Sequence, residues 1–413
     1  MKFSKLSQLL LVSTIGLLVA TLLTACQLVS IDYVFVADSA GNSAGSAGQI
    51  ETFAVDAHSG ALRIVDPAVP SGGVKPVSMA VSGNYFHLYV ANAATKNVVH
   101  FSIADSGVVT KQDSITLPDT PVAVAVSSAS NYLYVVYGST SATLVEYPLS
   151  SSGTIGAVAS QQVLTIPSNP TDTIIPAGVA VIPNNNNVTT QLGYSAVYVA
   201  AYDSSAYNPG GTVTSTANPG WVFGFLIGSN GALTPTTSSP YKAGVKPSGI
   251  TADPVSRFVY VTDFASNQLI GYSIQANGGL NFLINGPFRT GNQPSAIAID
   301  PRGLFIYQAN SLDSTIGGFT ISLPNGSPSS IVSTGATTVF NTDTQPLAIG
   351  VEPALGRFIY TANYLGNSIS GFRFDPANGA VTQTQATPYP SGANPAALAI
   401  VPHGNHSLQS ITP

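Results

Sequence analysis

A four-part phrase recurs along this chain: a proline opening a short apolar segment, a tyrosine-bearing segment, a segment with one fixed aromatic, then Gly-rich turn residues. The opening prolines are Pro76, Pro121, Pro176, Pro247, Pro294, Pro346 and Pro395, spaced by roughly fifty residues. Units of this size made of short alternating segments cannot bury their apolar faces alone, so neighbouring copies must stack. The stack must then be capped or closed on itself.

The first segment of each copy, strand A, begins at the proline, whose missing N–H is tolerated at a strand's first residue. Its second and fourth following positions are small, as in Ser78 and Ala80, Ala123 and Ala125, Gly178 and Ala180, and Ala296 and Ala298. The third is bulky: Met79, Val124, Val179, Ile250, Ile297, Ile349 and Leu398. Period-two alternation separates small from large onto opposite faces, so the large residues of one sheet can nest against the small face of the next. Strand B carries Tyr89, Tyr134, Tyr198, Tyr260, Tyr307 and Tyr360, with Phe35 at the matching place in the first copy. Strand C carries Phe53, Phe101, Tyr147, Phe225, Tyr272, Phe319 and Phe372. One aromatic per strand per copy is core packing rather than a cofactor box.

The first copy, residues 33–65, has no strand A ahead of it, and the last strand A, residues 395–401, has no B or C after it. The two fragments complete one unit. The expected fold is therefore all-β: a seven-bladed β-propeller with four-stranded blades, closed by the C-terminal strand pairing with N-terminal strands. No linker interrupts the repeat, so residues 33–405 read as one domain, followed by a tail of residues 406–413.

Ahead of the repeat, Lys2 and Lys5, the apolar run from Leu9 to Leu23 and the small residues Thr24 and Ala25 form an export signal over residues 1–25. Leu23-Thr24-Ala25-Cys26 resembles a bacterial lipobox, which implies cleavage before Cys26 and lipidation of its thiol. Cys26 is the only cysteine, and residues 26–32 would tether the propeller to the membrane. Gln27 stands where an Asp would resemble the inner-membrane retention signal of enteric bacteria. An outer-membrane lipoprotein facing periplasm or exterior is the expectation.

With 13 basic and 18 acidic residues, the chain carries no basic patch for nucleic acid. A single cysteine forms no intramolecular disulfide, so stability rests on the core of a monomer. Charged residues make up only 8% of the chain, which predicts a weak dependence of folding on pH and salt.

In a propeller, the loops into strand A and those joining B to C share one face beside the central channel. The B-strand ends place Asp38, Asn92, Tyr137, Ala201, Asp263, Asn310 and Asn363 at equivalent positions there. Asn and Asp suit turn capping; alternatively they form a polar ring for a small ligand. Lys75 and Lys246, just before strand A, can meet an anionic group or stand solvated. Arg257, Arg302 and Arg357 recur at A–B turns on the opposite face, which argues for a structural role. The fourth blade carries two insertions, 184–191 and 203–220, the second edged by Tyr202, Tyr207 and Trp221. Histidines occur only at 58, 87, 100, 403 and 406, so no three-His metal site and no His-based nucleophile pair is expected. No cofactor motif is present.

Tyr89-Val-Ala-Asn92, Tyr260-Val-Thr-Asp263 and Tyr360-Thr-Ala-Asn363 resemble the YVTN-type repeats of the seven-bladed lactonase-like propeller family, across residues 31–405. That resemblance implies the fold. Family members similar to 6-phosphogluconolactonase or to muconate-cyclising enzymes use His, Glu and Arg gathered at the channel mouth. Here the blade-entry positions hold Lys75, Thr120, Ile175, Lys246, Gln293, Gln345 and Asn394, so no catalytic residue carries over. Two readings follow. One is a lipid-anchored, non-catalytic module binding a small polar ligand or an envelope protein. The other is a lactone-ring hydrolase using Asp38 or Asp263 as base and Lys75 or Lys246 as electrostatic helper.

Overall fold

A computed structural model describes residues 29–39, 46–65, 67–182, 195–207, 219–331 and 339–403. The export signal with Cys26, the insertion 184–191, residues 208–218 of the second insertion and the tail 406–413 lie outside them. The described chain is all-β and forms seven antiparallel sheets, one per blade. Strand A lies innermost in each, with B, C and D following outward. In blade two these are Pro76–Val81, His87–Asn92, Asn97–Ile103 and Val109–Thr116.

Blade one is built from both ends of the chain. Ser30–Asp38 pairs on one edge with Gln49–Asp56 and on the other with Ala397–Pro402, Val36 lying opposite Leu398. The seven-bladed ring and its closure are therefore as the repeat predicts. Two boundaries differ in detail. The last inner strand begins at Ala397 rather than Pro395, and Pro176 falls inside the longer strand Ile174–Ile182.

The inner prolines also introduce an irregularity that alternation alone does not predict. In six blades the ladder slips one residue after the proline: Pro76 faces Asn92 while Ser78 faces Ala91, leaving Val77 as the extra residue. The same slip leaves Val122, Ala177, Ser248, Ser295 and Leu347 unpaired. Such a bulge re-aims a side chain, and the first three residues after each of these prolines all line the channel. The small-against-large packing is direct. A Cβ added at Gly178 would meet Ile250 Cγ2 of the next blade at 3.1 Å, and one at Gly249 would meet Ile297 Cγ2 at 3.3 Å.

The B-strand tyrosines staple consecutive blades. Tyr89, Tyr198, Tyr260, Tyr307 and Tyr360 are fully buried, and each donates its hydroxyl to a glycine carbonyl in the next blade's C–D turn: Gly153, Gly278, Gly326, Gly379 and Gly60, at 2.7–2.9 Å. All five glycines have positive φ, the left-handed region where an L side chain is strained.

The tyrosine ring in turn lies over a residue of strand C. That residue is Gly224, Gly271, Gly318 and Gly371 in blades four to seven, where an added Cβ would meet the ring at 3.0–3.2 Å. In these blades strand D is broken into two short pieces, as in Val381–Gln383 and Tyr389–Pro390. The excursion between the pieces folds over the glycine. Blades two and three instead place His100 and Glu146 at this position, opposite Tyr89 and Tyr134, and there strand D is a single unbroken piece.

Candidate functional site

The inner strands enclose a channel of about 290 Å³, lined by residues such as Met79, Val124, Val179, Ile250, Ile297 and Leu398. Its side chains are apolar apart from hydroxyls, and among the described residues none that lines it is ionisable. The hydroxyls are occupied in holding blades together. Ser248 Oγ donates to Pro294 O at 2.5 Å, Ser295 Oγ donates to Pro346 O at 2.8 Å, and Ser78 Oγ accepts from Val124 N at 3.2 Å.

Around the mouth, register places Asn92, Tyr137, Ala201, Asp263, Asn310 and Asn363 opposite the inner-strand prolines, and Asp38 just beyond the Ala37–Ala397 pair. The side chains of Asp38, Asn92, Asp263, Asn310 and Asn363 are fully buried and packed against the loops rather than lining the channel wall. Asp263 Oδ1 accepts from the backbone N–H of Lys246, Ala265 and Ser266, and Oδ2 from Val245 N–H and Gln268 Nε2, at 2.8–3.3 Å. Five N–H donors thus occupy the two carboxyl oxygens and fix the side chain against the loop. Asn92 exchanges hydrogen bonds with Ser71, accepting from its Oγ at 2.8 Å and donating to its carbonyl at 3.3 Å. Asn363 Nδ2 donates to Ser368 and Ser370, and Asn310 Nδ2 donates to Thr315 Oγ1. Gly244 and Gly392 press on the carboxylates of Asp263 and Asp38, leaving no space for a Cβ.

The two lysines differ. Lys75 is exposed and sits at φ 61°. Lys246 is half-buried, its Nζ 4.7 Å from the Phe264 ring centroid, 5.3 Å from Tyr207 and 5.7 Å from Tyr202. Tyr202 and Tyr207 meet edge-on at 5.5 Å. This aromatic cage holds the cation by its ring faces, and burial pushes the amine's pKa down. Nearby, Lys242 Nζ lies 3.6 Å over the Trp221 ring. The aromatics bordering the second insertion are thus anchored on lysines. Phe264 and Lys242 carried no sequence signal beyond their neighbours. On the opposite face, Arg257 forms a double hydrogen bond with Asp253 at 2.8 Å, and Arg302 pairs with Asp300 at 3.2 Å, which fits the turn role.

Buried acid–base groups occur away from the channel, and sequence reading missed them. His87 Nδ1 lies 3.0 Å from His100 Nε2, and His100 Nδ1 lies 2.5 Å from Asp113 Oδ1. Asp113 accepts the Nδ1 proton of His100, and in the neutral ring His100 Nε2 then accepts from His87. Burial lowers the pKa of His87. Asp32 and Glu352 form a buried carboxyl pair at the junction of blades seven and one, and desolvation with mutual repulsion pushes Asp32 well above the usual carboxylate range. Glu146 is fully buried and its pKa is pushed up to about 7 by desolvation. Three buried carboxyls with raised pKa run counter to the weak pH dependence expected from the low charge content. Among the described residues, no group of three or more His, Cys, Asp or Glu is placed to hold a metal ion.

Comparison with known proteins fits this architecture. No curated protein sequence matches the chain. A Bacteroides fragilis protein provisionally named a 6-phosphogluconolactonase superposes with a TM-score of 0.69 at 16% identity, covering 91% of this chain and 99% of that one. The Pseudomonas aeruginosa periplasmic gluconolactonase gives 0.67 at 18% identity over 90% and 99%. Kuenenia stuttgartiensis hydrazine synthase shares the fold at 0.54 and 14% identity over 79% and 92%, so the architecture alone does not specify a chemistry. The family model described as "Lactonase, 7-bladed beta-propeller" matches residues 34–220 and 242–408, and the chain belongs to that family.

Proposed function

We propose that this protein is a lipid-anchored envelope propeller whose channel face binds a small polar or anionic ligand, or an envelope partner, without turning it over. The observation that carries this reading is the channel wall, where among the described residues no lining side chain is ionisable and the serine hydroxyls bond backbone of neighbouring blades. General base catalysis needs a group with a free lone pair near the operating pH, and Asp263 has its oxygens held by N–H donors. Lys75 and the caged Lys246 supply positive charge one residue before their inner strands. Lipid on Cys26 would hold the domain at the outer membrane.

Family membership favours a second reading, opening of a lactone ring, the chemistry for which the Pseudomonas aeruginosa gluconolactonase is named. In that case Asp38 or Asp263 would activate water, and Lys75 or Lys246 would stabilise the developing oxyanion. Incubation of the protein with a panel of sugar lactones and their open-chain acids separates the two. The binding reading expects no turnover above the uncatalysed rate, together with salt-sensitive binding of an anionic compound that Lys75→Met and Lys246→Met weaken. Turnover that disappears in Asp263→Asn, with the melting transition retained, would overturn it.

A further inference from the structure

The C–D ladder of blade two slips by one residue. Val99 faces Ser114 while Phe101 faces Lys111, so Gln112 and Asp113 together stand opposite His100. A bulge of this kind re-aims a side chain. Here Asp113 turns to the blade three side, where Oδ1 accepts from His100 Nδ1 at 2.5 Å and Oδ2 accepts from the backbone N–H of Ile155 at 3.0 Å. His100 stacks on Tyr89, ring centroids 5.0 Å apart, and its Nε2 lies 3.0 Å from His87 Nδ1. The Gly153 turn of blade three closes over the two facing nitrogens: a Cβ on Gly153 would meet them at 2.7 and 2.4 Å. That close approach leaves the gap to a proton rather than to a metal ion with its further ligands. Asp113, His100 and His87 thus form one line across the packing of two blades that share no ladder, beside the 2.7 Å bond from Tyr89 to Gly153 O.

We propose that this line is a proton-operated clasp: a first proton passes along it without loss of a hydrogen bond, and a second parts blades two and three at the Gly153 turn. With both rings neutral, His100 donates from Nδ1 to Asp113, and His87 donates from Nδ1 to His100 Nε2. His87 has the only exposure of the two, 8% against 0%, so a proton from solvent binds His87 Nε2. The His87 Nδ1 proton then moves to His100 Nε2. His87 is neutral again, and the charge sits on His100 against the Asp113 carboxylate. The bond between the rings has changed direction and survives. A second proton leaves an N–H on both facing nitrogens and a cation on each ring. Two donors of like charge do not hold hydrogen-bond distance, and the turn packed on them moves. Around the pair, strand B contributes Tyr89, strand D contributes Asp113, and the turn 149–156 has no ionisable group. Lys111 lies on the other face of the sheet, near Gly72. Burial, and then the neighbouring His100, lower the His87 pKa. A histidine whose folded pKa lies below its unfolded 6.5 contributes stability above that value and loses it as pH falls. This is opposite in sign to the buried carboxyls, so local exchange rather than global melting is the readout. The inference is independent of what the channel face binds.

Nitrogen NMR of the imidazole rings together with amide exchange, on the whole protein from about pH 8 to about pH 4, tests the clasp. The pair should titrate in two separate steps. In the first, the His87 proton moves from Nδ1 to Nε2 and the amides of residues 153–156 keep their protection. In the second, their protection factors should fall at least roughly tenfold, while those of the Gly326 turn, which has the same tyrosine bond and no histidine, do not. His87→Gln keeps a donor toward His100 and leaves one titrating ring, so the acid loss of protection should vanish. His87→Phe, a ring without nitrogen, should abolish it too. Asp113→Asn should move the first step to lower pH. A single step, a protection loss that accompanies the first proton, a loss that persists in both His87 variants, or unfolding of the whole ring with no earlier local step would overturn the proposal.

Discussion

A missing Cβ sets much of the packing between tyrosine and outer strand. At Gly371 an added methyl would overlap Thr384 Oγ1 and press on the Tyr360 ring at 3.2 Å, so Gly371→Ala should cost about 1–3 kcal/mol, read as a lower denaturation midpoint. Where Glu146 takes this position, the cost is instead electrostatic. A carboxyl whose folded pKa is raised stabilises the fold below its unfolded pKa, and that contribution is lost as pH rises through the folded value. For Glu146 the loss runs from about 4.5 to about 7, and Asp32 and Glu352 act in the same direction. Asp119, Asp56 and Asp343, whose pKa values are lowered, contribute above their unfolded pKa of 3.8 and lose it in stronger acid. The melting temperature should therefore climb on acidification from about pH 8 to pH 5, and Glu146→Gln should flatten part of the climb; a flat profile in the parent protein would contradict this. The positions of Asp263 and Asn363 were legible in the sequence, because strand ends recur. The direction of their side chains was not, since it depends on loop backbone from another strand.

At the level of strands, five tyrosine-to-turn hydrogen bonds join blades that share no sheet ladder. Tyr360→Phe removes the 2.7 Å bond to Gly60 O and leaves a buried carbonyl short of a donor, so it should cost about 1–3 kcal/mol. Tyr134→Phe removes a hydroxyl that bonds no turn carbonyl, and should be neutral or mildly stabilising. Chemical denaturation of the two variants side by side checks the contrast; equal losses would mean that the staple adds nothing beyond ring packing. The inner strands were readable from proline and small–large alternation because both follow from local geometry. The outer strands were not. They are short and interrupted, as in Leu280–Phe282 and Phe288–Arg289, and depend on a glycine in the neighbouring strand C. His100 and Glu146 went unremarked for the same reason, since a charged residue in strand C is unusual only once the other blades show glycine there.

For the whole ring, the six pairs between Asp32–Ala37 and Ala397–Pro402 join the chain's two ends in one sheet. Ending the chain at Asn394 would uncover Tyr33, Phe35 and Val36 and remove the inner strand between blades seven and two. Cooperative melting should be lost and the product should self-associate; a soluble truncated protein with an unchanged transition would show that closure is dispensable. Local order along the chain makes this arrangement legible in the sequence, because the strand A missing from the first copy is the one left over in the last. The same cut sets the timetable of synthesis. Of the ring's strands, 30–38 leaves the ribosome first and its inner partner 397–402 last. Blades two to seven hold all their own strands in sequence and can mature as they emerge, while the founding strand waits unpaired on one side. Pulse-labelled amide exchange during refolding should find 30–38 and 397–402 gaining protection together, and late.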